Sequence, residues 1–267
     1  MTVITLLTDF GTRDGYVGVM RGVIWGIAPE SHITDLSHEI SAQNVLEAAL
    51  TLGRSFHYFP AGTIHIAVVD PGVGTSRRPI AAAIGPYFFV GPDNGLLTPM
   101  VEHAEAVNWN ISVVNLDQPR YWLPGVSKSF HGRDIFAPVG AHLAAGVPLE
   151  SLGSPIDDYV RLRIPKPVKT AQGWHSQIIH VDHFGNLATN LDKDMLLSQS
   201  VDIWINSQRV SRLVQTYGEA KIGELVAMFD SANHLSICVV NSSAAELLKA
   251  SSGDAVEVIY RKKTGQL

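Results

Sequence analysis

The 267-residue chain has one cysteine, Cys238. That excludes a disulfide scaffold and any metal site built on several thiolates. No apolar run reaches the roughly 18 residues that a membrane-spanning helix needs. The opening run Val3-Ile4-Thr5-Leu6-Leu7 follows no basic region and no cleavage site, so no secretory signal is read. A cytoplasmic protein in a reducing compartment is the expectation. Positive charge is scarce as well: 20 Lys and Arg against 25 Asp and Glu leave a formal charge of -5. This disfavours nucleic acid and anionic membranes as partners. With 46% hydrophobic and 17% charged residues, the chain is globular rather than disordered.

Several catalytic signatures are missing too. There is no Gly-x-Ser-x-Gly, so the serine elbow of an α/β-hydrolase is absent, and no Gly-Lys-Ser/Thr, so there is no P-loop. The 11 histidines form no His-Glu-x-x-His pair. Gly72-x-Gly74-x-x-Arg77 follows a strand-like run but lacks a third glycine and a following helix, so phosphate binding there is a weak reading. Asp70, Asp93, His131 and Asp134 could converge on a hard cation, which keeps a metal-dependent hydrolase as an alternative. Ser127 and Ser129 read as parts of a solvated loop.

Residues 1 to about 165 alternate strand-like and helix-like patterns. Strands are expected over 3–7, 65–69, 79–90 and 107–114, and helices over 16–28, 43–58 and 134–145. This implies an α/β domain over 1–165 with a mainly parallel central sheet. The stretch Arg163-Ile164-Pro165-Lys166-Pro167-Val168-Lys169 reads as an extended linker. Beyond it, over 170–267, short strands (175–181, 201–205, 225–228, 235–240, 255–261) and one helix (244–250, capped by Ser242 or Ser243) predict a smaller, mostly β, barrel-like domain.

What is present is a set of polar clusters where apolar strands run out. His65-Ile66-Ala67-Val68-Val69 ends on Asp70 and turns through Pro71, Gly72 and Gly74 toward Arg77 and Arg78. A carboxylate at the carboxyl end of a buried strand is where open α/β folds place their chemistry. His131, in Phe130-His131-Gly132-Arg133-Asp134, adds a titratable group from a second glycine-marked loop.

Six segments then make the chain recognisable: Leu7-Thr8-Asp9-Phe10-Gly11, Asp35-Leu36-Ser37-His38, Val69-Asp70-Pro71-Gly72-Val73-Gly74-Thr75, Gly91-Pro92-Asp93-Asn94-Gly95-Leu96-Leu97, Ser129-Phe130-His131-Gly132-Arg133-Asp134-Ile135-Phe136-Ala137-Pro138 and Val181-Asp182-His183-Phe184-Gly185-Asn186. In this order and spacing they closely resemble the S-adenosyl-L-methionine hydroxide adenosyltransferase family, which is related to the fluorinases and chlorinases. The resemblance implies hydrolysis of S-adenosyl-L-methionine to adenosine and L-methionine by attack of a water-derived oxygen on the 5′ carbon of the ribose. It implies no metal and no cofactor, the sulfonium compound being the substrate. It also implies a homotrimer with each site formed between subunits.

Residue by residue, the resemblance makes Asp70, Arg77 and His131 the water-activating set. Arg78 competes with Arg77, and spacing from Asp70 favours Arg77. Asp9 resembles the position that grips the ribose hydroxyls. Asp182, Phe184 and Asn186 resemble the segment that contacts the methionine part and packs near the adenine. Ser231 resembles a methionine-carboxylate contact, although Ala232 replaces the arginine that follows it in halogenases. Asn241 and Ser242 resemble the readers of the adenine edge. Gln43 stands where halogenases carry a tryptophan, and the fluorinase insert is absent between Val90 and Pro99. A charged Asp70 would repel a bare halide. Hydroxide is therefore the expected nucleophile, with a halogenase or a non-catalytic binding sensor as the alternatives.

Overall fold

Residues 3–8 and 64–68 are mostly apolar and buried on both sides of the strand, the pattern of strands covered on two faces. In the computed structural model, which describes residues 1–196 and 200–261, they form the middle of a seven-stranded sheet. Its strands are β1 (Val3–Thr8), β2 (His32–Ser37), β3 (Ile64–Val68), β4 (Pro79–Ile84), β5 (Tyr87–Pro92), β6 (Ile111–Asn115) and β7 (Ser154–Ile156). They lie in the order β2-β1-β3-β5-β4-β6-β7. Contacts divide the chain into two compact units, Met1–Arg163 and the residues from Ile164 on.

The sheet is mixed rather than mainly parallel. β2, β1, β3 and β5 run parallel, whereas β4, β5, β6 and β7 pair antiparallel. The single strand expected over 79–90 is a hairpin, in which Ile84 pairs with Tyr87 around Gly85 at φ +54°. An added Cβ there would lie 2.3 Å from the Trp109 ring, so only glycine fits the turn. The apolar run conceals the reversal because both arms are buried.

Helices cover both faces. Ile4, Leu6, Ile64, Ile66 and Val68 point to the side covered by α1 (Tyr16–Ile27) and α4 (Ala137–Ala144). Leu7, Ala67 and Val69 point to the side of α2 (Val45–Ser55) and α3 (Thr98–Ala106). The period of two along each strand sorts the two cores. Asn44 caps α2 by accepting from Glu47 N at 3.1 Å, while its amide donates to the Glu47 carboxylate. β2, β7 and α3 were not expected: β2 is largely exposed, and Pro99 sits in the first turn of α3.

In the second unit, β8 (Val168–Thr170), β9 (Gly173–Val181), β10 (Leu187–Asp192), β11 (Val201–Ile205), β12 (Gln208–Arg209), β13 (Leu225–Phe229), β14 (His234–Val239) and β15 (Ala255–Tyr260) form one curled antiparallel half-barrel. β8 overlaps the end of the expected linker and pairs with β9. After β12, the segment 210–212 bonds to both β11 and β13: Val210 N donates to Ile203 O, and Ala227 N donates to Arg212 O. Leu187, Ile203, Leu235, Ile237, Val256 and Val258 fill the concave side. The helix α5 (Ala244–Leu248) is capped by Ser243, which accepts from Glu246 N at 3.1 Å, and not by Ser242. The expected extent to residue 267 includes 262–267, which lie outside the described residues.

Candidate active site

β1 and β3 are parallel neighbours, with Thr8 opposite Val68. From their carboxyl ends the chain leaves in opposite directions, β1 leading by α1 to the edge strand β2 and β3 leading to β4 on the other side. Such a switch point leaves a crevice at the strand ends. Asp9 follows the end of β1 directly, and Asp70 lies two residues past the end of β3.

The Asp70 loop is wound tightly. Val73 N donates to Asp70 O, the Thr75 hydroxyl to Gly72 O at 2.7 Å, and Arg77 N to Thr75 Oγ1. This turn returns Arg77 to the carboxylate seven residues earlier. Arg77 Nε donates to Asp70 Oδ1 at 3.1 Å and Nη2 to Oδ2 at 2.5 Å, a two-pronged fit of planar guanidinium to planar carboxylate. Both side chains are nearly enclosed, at 8% and 5% exposure. The Phe136 ring lies 5.4 Å from the guanidinium carbon.

Gly74 brings a second loop against the first. Its φ is +76°, and an added Cβ would lie 2.2 Å from Lys128 O. That second loop carries His131, whose Nδ1 lies 2.9 Å from Arg77 Nη2. Since a guanidinium only donates, Nδ1 accepts and the ring of this neutral histidine carries its proton on Nε2. Burial, and then the positive charge of Arg77, hold the His131 pKa below its ordinary value. Burial pushes the Asp70 carboxyl up despite the opposing pull of Arg77. Arg77 Nη1 is buried and has no hydrogen-bond partner among the described residues.

Asp70, Arg77 and His131 thus meet in one cluster. Arg78 is occupied elsewhere, bonding Asp93 at 2.7 Å and Asp158 at 2.7 Å. Asp93 also accepts Val160 N. Among the described residues no group of three or more His, Cys, Asp or Glu is arranged to hold a metal ion. Asp9 Oδ2 accepts Gln43 N at 2.8 Å, with Gln43 at φ +66°. Beside it, Phe10, Tyr16 and Phe130 meet edge to face at 5.1 to 5.9 Å between ring centres.

The six other residues lie in the second unit. Asp182 shapes its own turn: Oδ1 accepts Phe184 N and Asn186 N, and Oδ2 accepts Asn186 Nδ2 at 2.8 Å. The turn presents Phe184 outward, 73% exposed. Ala245 N donates to Gly185 O, which seats this turn against the segment holding Asn241 and Ser242. Both of those residues are exposed, Asn241 at φ +57°. Ser231 is exposed in the turn after β13, where Asp230 Oδ1 accepts Ala232 N and His234 N.

Sequence reasoning missed two supports of the site. Ser127 is half-buried and bonded: its N–H and hydroxyl both donate to Asp134 Oδ2, at 2.8 and 2.6 Å. His38 Nδ1 lies 2.8 Å from Thr8 Oγ1, and Gly11 N donates to His38 O, bracing the Asp9 loop. No local spacing signals the Thr8–His38 contact. The Asp35-Leu36-Ser37-His38 segment marked the region without a role.

An α/β sheet whose switch point holds a carboxylate–guanidinium–imidazole cluster describes a class of enzyme that acts on a small molecule at its strand ends. Residues 4–153 match the SAM hydroxide adenosyltransferase N-terminal domain, and residues 176–257 match the C-terminal domain of the same family. The chain belongs to that family. It is 37% identical to the (R)-S-adenosyl-L-methionine hydrolase of Salinispora tropica, over 96% of this chain and 97% of that one. It is 27% identical to a fluorinase of Actinopolyspora mzabensis, over 96% of each chain. A crystal structure of a conserved protein from Thermotoga maritima superposes with a TM-score of 0.88 at 36% identity, covering 96% of this chain and 99% of that one.

Proposed function

We propose that this protein hydrolyses S-adenosyl-L-methionine to adenosine and L-methionine by in-line attack of a water oxygen on the 5′ carbon of the ribose. The observation that carries this reading is the buried guanidinium of Arg77, clamped by Asp70 and His131 with Nη1 left over. The leaving group is a neutral thioether expelled from a sulfonium, so departure needs neither a general acid nor a Lewis acid. What the reaction needs is an aligned, activated oxygen in a dry pocket.

In this reading Arg77 Nη1 holds the attacking oxygen and stabilises its hydroxide character. Asp70, pushed toward greater basicity by burial, takes the proton as the C–O bond forms and the C–S bond breaks. The departing thioether keeps the bonding electron pair. His131, neutral at Nδ1, fixes the far end of the guanidinium. The negative charge of Asp70 complements the sulfonium and repels a halide, which favours water over chloride or fluoride.

Asp9 grips the ribose hydroxyls, and Asp182, Phe184, Asn186, Ser231, Asn241 and Ser242 contact the methionine and adenine parts. No metal or further cofactor takes part, and the enzyme is cytoplasmic. No helix among the described residues is long and apolar enough to cross a membrane. We extend the proposal to the domains, an α/β domain over 1–165 and a β-rich one over 170–267, and to a homotrimer with sites between subunits. The outward face of α1 supports an assembly. Tyr16, Val19 and Trp25 are 45–49% exposed there beside Gly18, Gly22 and Gly26, whose Cβ positions are open.

The test is a chromatographic assay of chelator-treated protein with S-adenosyl-L-methionine in oxygen-18 water, with and without chloride. The expected products are labelled adenosine and methionine, unchanged by chelator or halide. A 5′-chloro product would place the chemistry with the halogenases. Tight adenosine retention without methionine release would make the protein a sensor.

A further inference from the structure

Asp134 is 2% exposed, and the reaction chemistry gives it no task. A buried carboxylate persists only when its oxygens are matched by donors. Oδ2 accepts both the N–H and the hydroxyl of Ser127, and Oδ1 accepts Arg133 Nε at 2.6 Å. Burial pushes the Asp134 carboxyl up, but the bonds from Arg133 and Ser127 outweigh it, so the group stays ionised.

These bonds close a loop around His131. Ser127 lies four residues before it and Asp134 three after. Inside the loop, Phe130 N donates to Ser127 Oγ at 3.1 Å, and Phe130 O accepts Arg133 N and Asp134 N. The Arg133 guanidinium lies over the Phe130 ring at 5.2 Å. The Ser127 carbonyl is itself a hydrogen-bond partner of the His131 ring. One carboxylate therefore fixes the main chain whose carbonyl meets the imidazole.

We propose that Asp134 is a positioning residue, which acts through Ser127 to aim His131 Nδ1 at Arg77; its effect on turnover rests on the hydrolase reading above. The ion pair with Arg133 is secondary, because that side chain is 37% exposed and such pairs contribute little. The geometric link is the doubly bonded Ser127. A displaced imidazole leaves Arg77 free to swing, and small misplacements of a reacting group are costly.

The test compares Asp134→Ala, Asp134→Asn, Ser127→Ala and Ser127→Thr. Readouts are kcat, KM and the titration of the His131 ring followed by NMR. Asp134→Ala is expected to lower kcat about 10- to 100-fold while KM stays within about threefold. Asp134→Asn retains an acceptor for Ser127 and keeps most activity. Ser127→Thr does likewise, whereas Ser127→Ala falls between wild type and Asp134→Ala.

The titration separates aiming from bare charge. The groups that act on His131 are Arg77 and Asp70 from the first loop, with Asp134 and the Ser127 carbonyl from its own. If Asp134 aims the ring, Asp134→Ala lets it leave Arg77 and its pKa rises toward 6.5. If Asp134 acts only as a nearby negative charge, the pKa falls further. A fall, or an unchanged titration with kcat within about twofold, overturns the proposal. Should Asp134→Ala not fold, the Ser127 pair decides by the same criteria. If wild-type protein does not hydrolyse the sulfonium substrate, the hydrolase reading fails, and the ring titration still decides the positioning.

Discussion

At the scale of single residues, the proposed chemistry rests on what one guanidinium can do when two partners hold it. Lysine keeps the charge but lacks the planar fork, so Arg77→Lys is expected to lower kcat by about 10²- to 10³-fold with little change in adenosine affinity. Asp70→Ala and His131→Ala should abolish methionine release while calorimetry still detects adenosine binding. Loss of binding together with turnover would show that these residues hold the nucleoside instead.

The same cluster fixes a pH dependence. His131 must be neutral to accept from Arg77, and its pKa lies below the ordinary 6.5. In the proposed mechanism Asp70 must be ionised to take the proton, and burial pushes its pKa above the ordinary 3.8. Protonation of either group is then expected to remove activity. kcat/KM should therefore rise with pH on an acidic limb and then level off, since the guanidinium titrates far above. A rate that falls from pH 6.5 to 8.5 would mean that a protonated imidazole is required.

At the scale of elements, two loops form the candidate site because one glycine lets the chains approach. Gly74 touches Lys128 O where any Cβ would collide, at a backbone angle that disfavours other residues. Gly74→Ala should destabilise the protein by roughly 1–3 kcal/mol and lower kcat as the Arg77 and His131 loops part. Thermal unfolding and steady-state kinetics check it, and a wild-type Tm would show that the loops yield without strain.

Much at this scale was legible. Helices α1 and α2 and strands β1, β3, β9, β11, β13, β14 and β15 fall where periodicity placed them, with ends shifted by a few residues. The misses have physical causes. β4 and β5 are buried on both faces, so the hairpin between them shows no polar break except Gly85-Pro86. The expected helix over 134–145 is a π-helical turn over Gly132–Phe136 followed by α4, because Pro138 lacks the N–H that a continuous helix would use. β10 carries Asn190 in a buried position, where it bonds Ser176 and Pro165 O, and that polar residue hides the strand.

At the scale of the whole molecule, α1 leaves a wide apolar and glycine-lined face uncovered by its own chain. Light scattering is expected to give the mass of three chains, and Trp25→Glu to lower it toward one chain by placing a charge in a contact that excludes water. An unchanged trimer would move the interface to another surface. A monomeric wild type would remove the assembly from the proposal.

The sequence by itself determined the covered faces of β1 and β3 and the candidates Asp9, Asp70, Arg77 and His131, because strand periodicity and turn chemistry are local properties. It also marked the family through six short segments. Only the tertiary structure decided that Arg77 rather than Arg78 meets Asp70, that the first sheet is mixed, and that Ser127 and Asp134 brace His131. Which of two adjacent arginines points inward depends on where Asp93, Asp158 and Phe136 lie in space. Those contacts span up to 80 residues of chain, a separation over which no sequence period carries information.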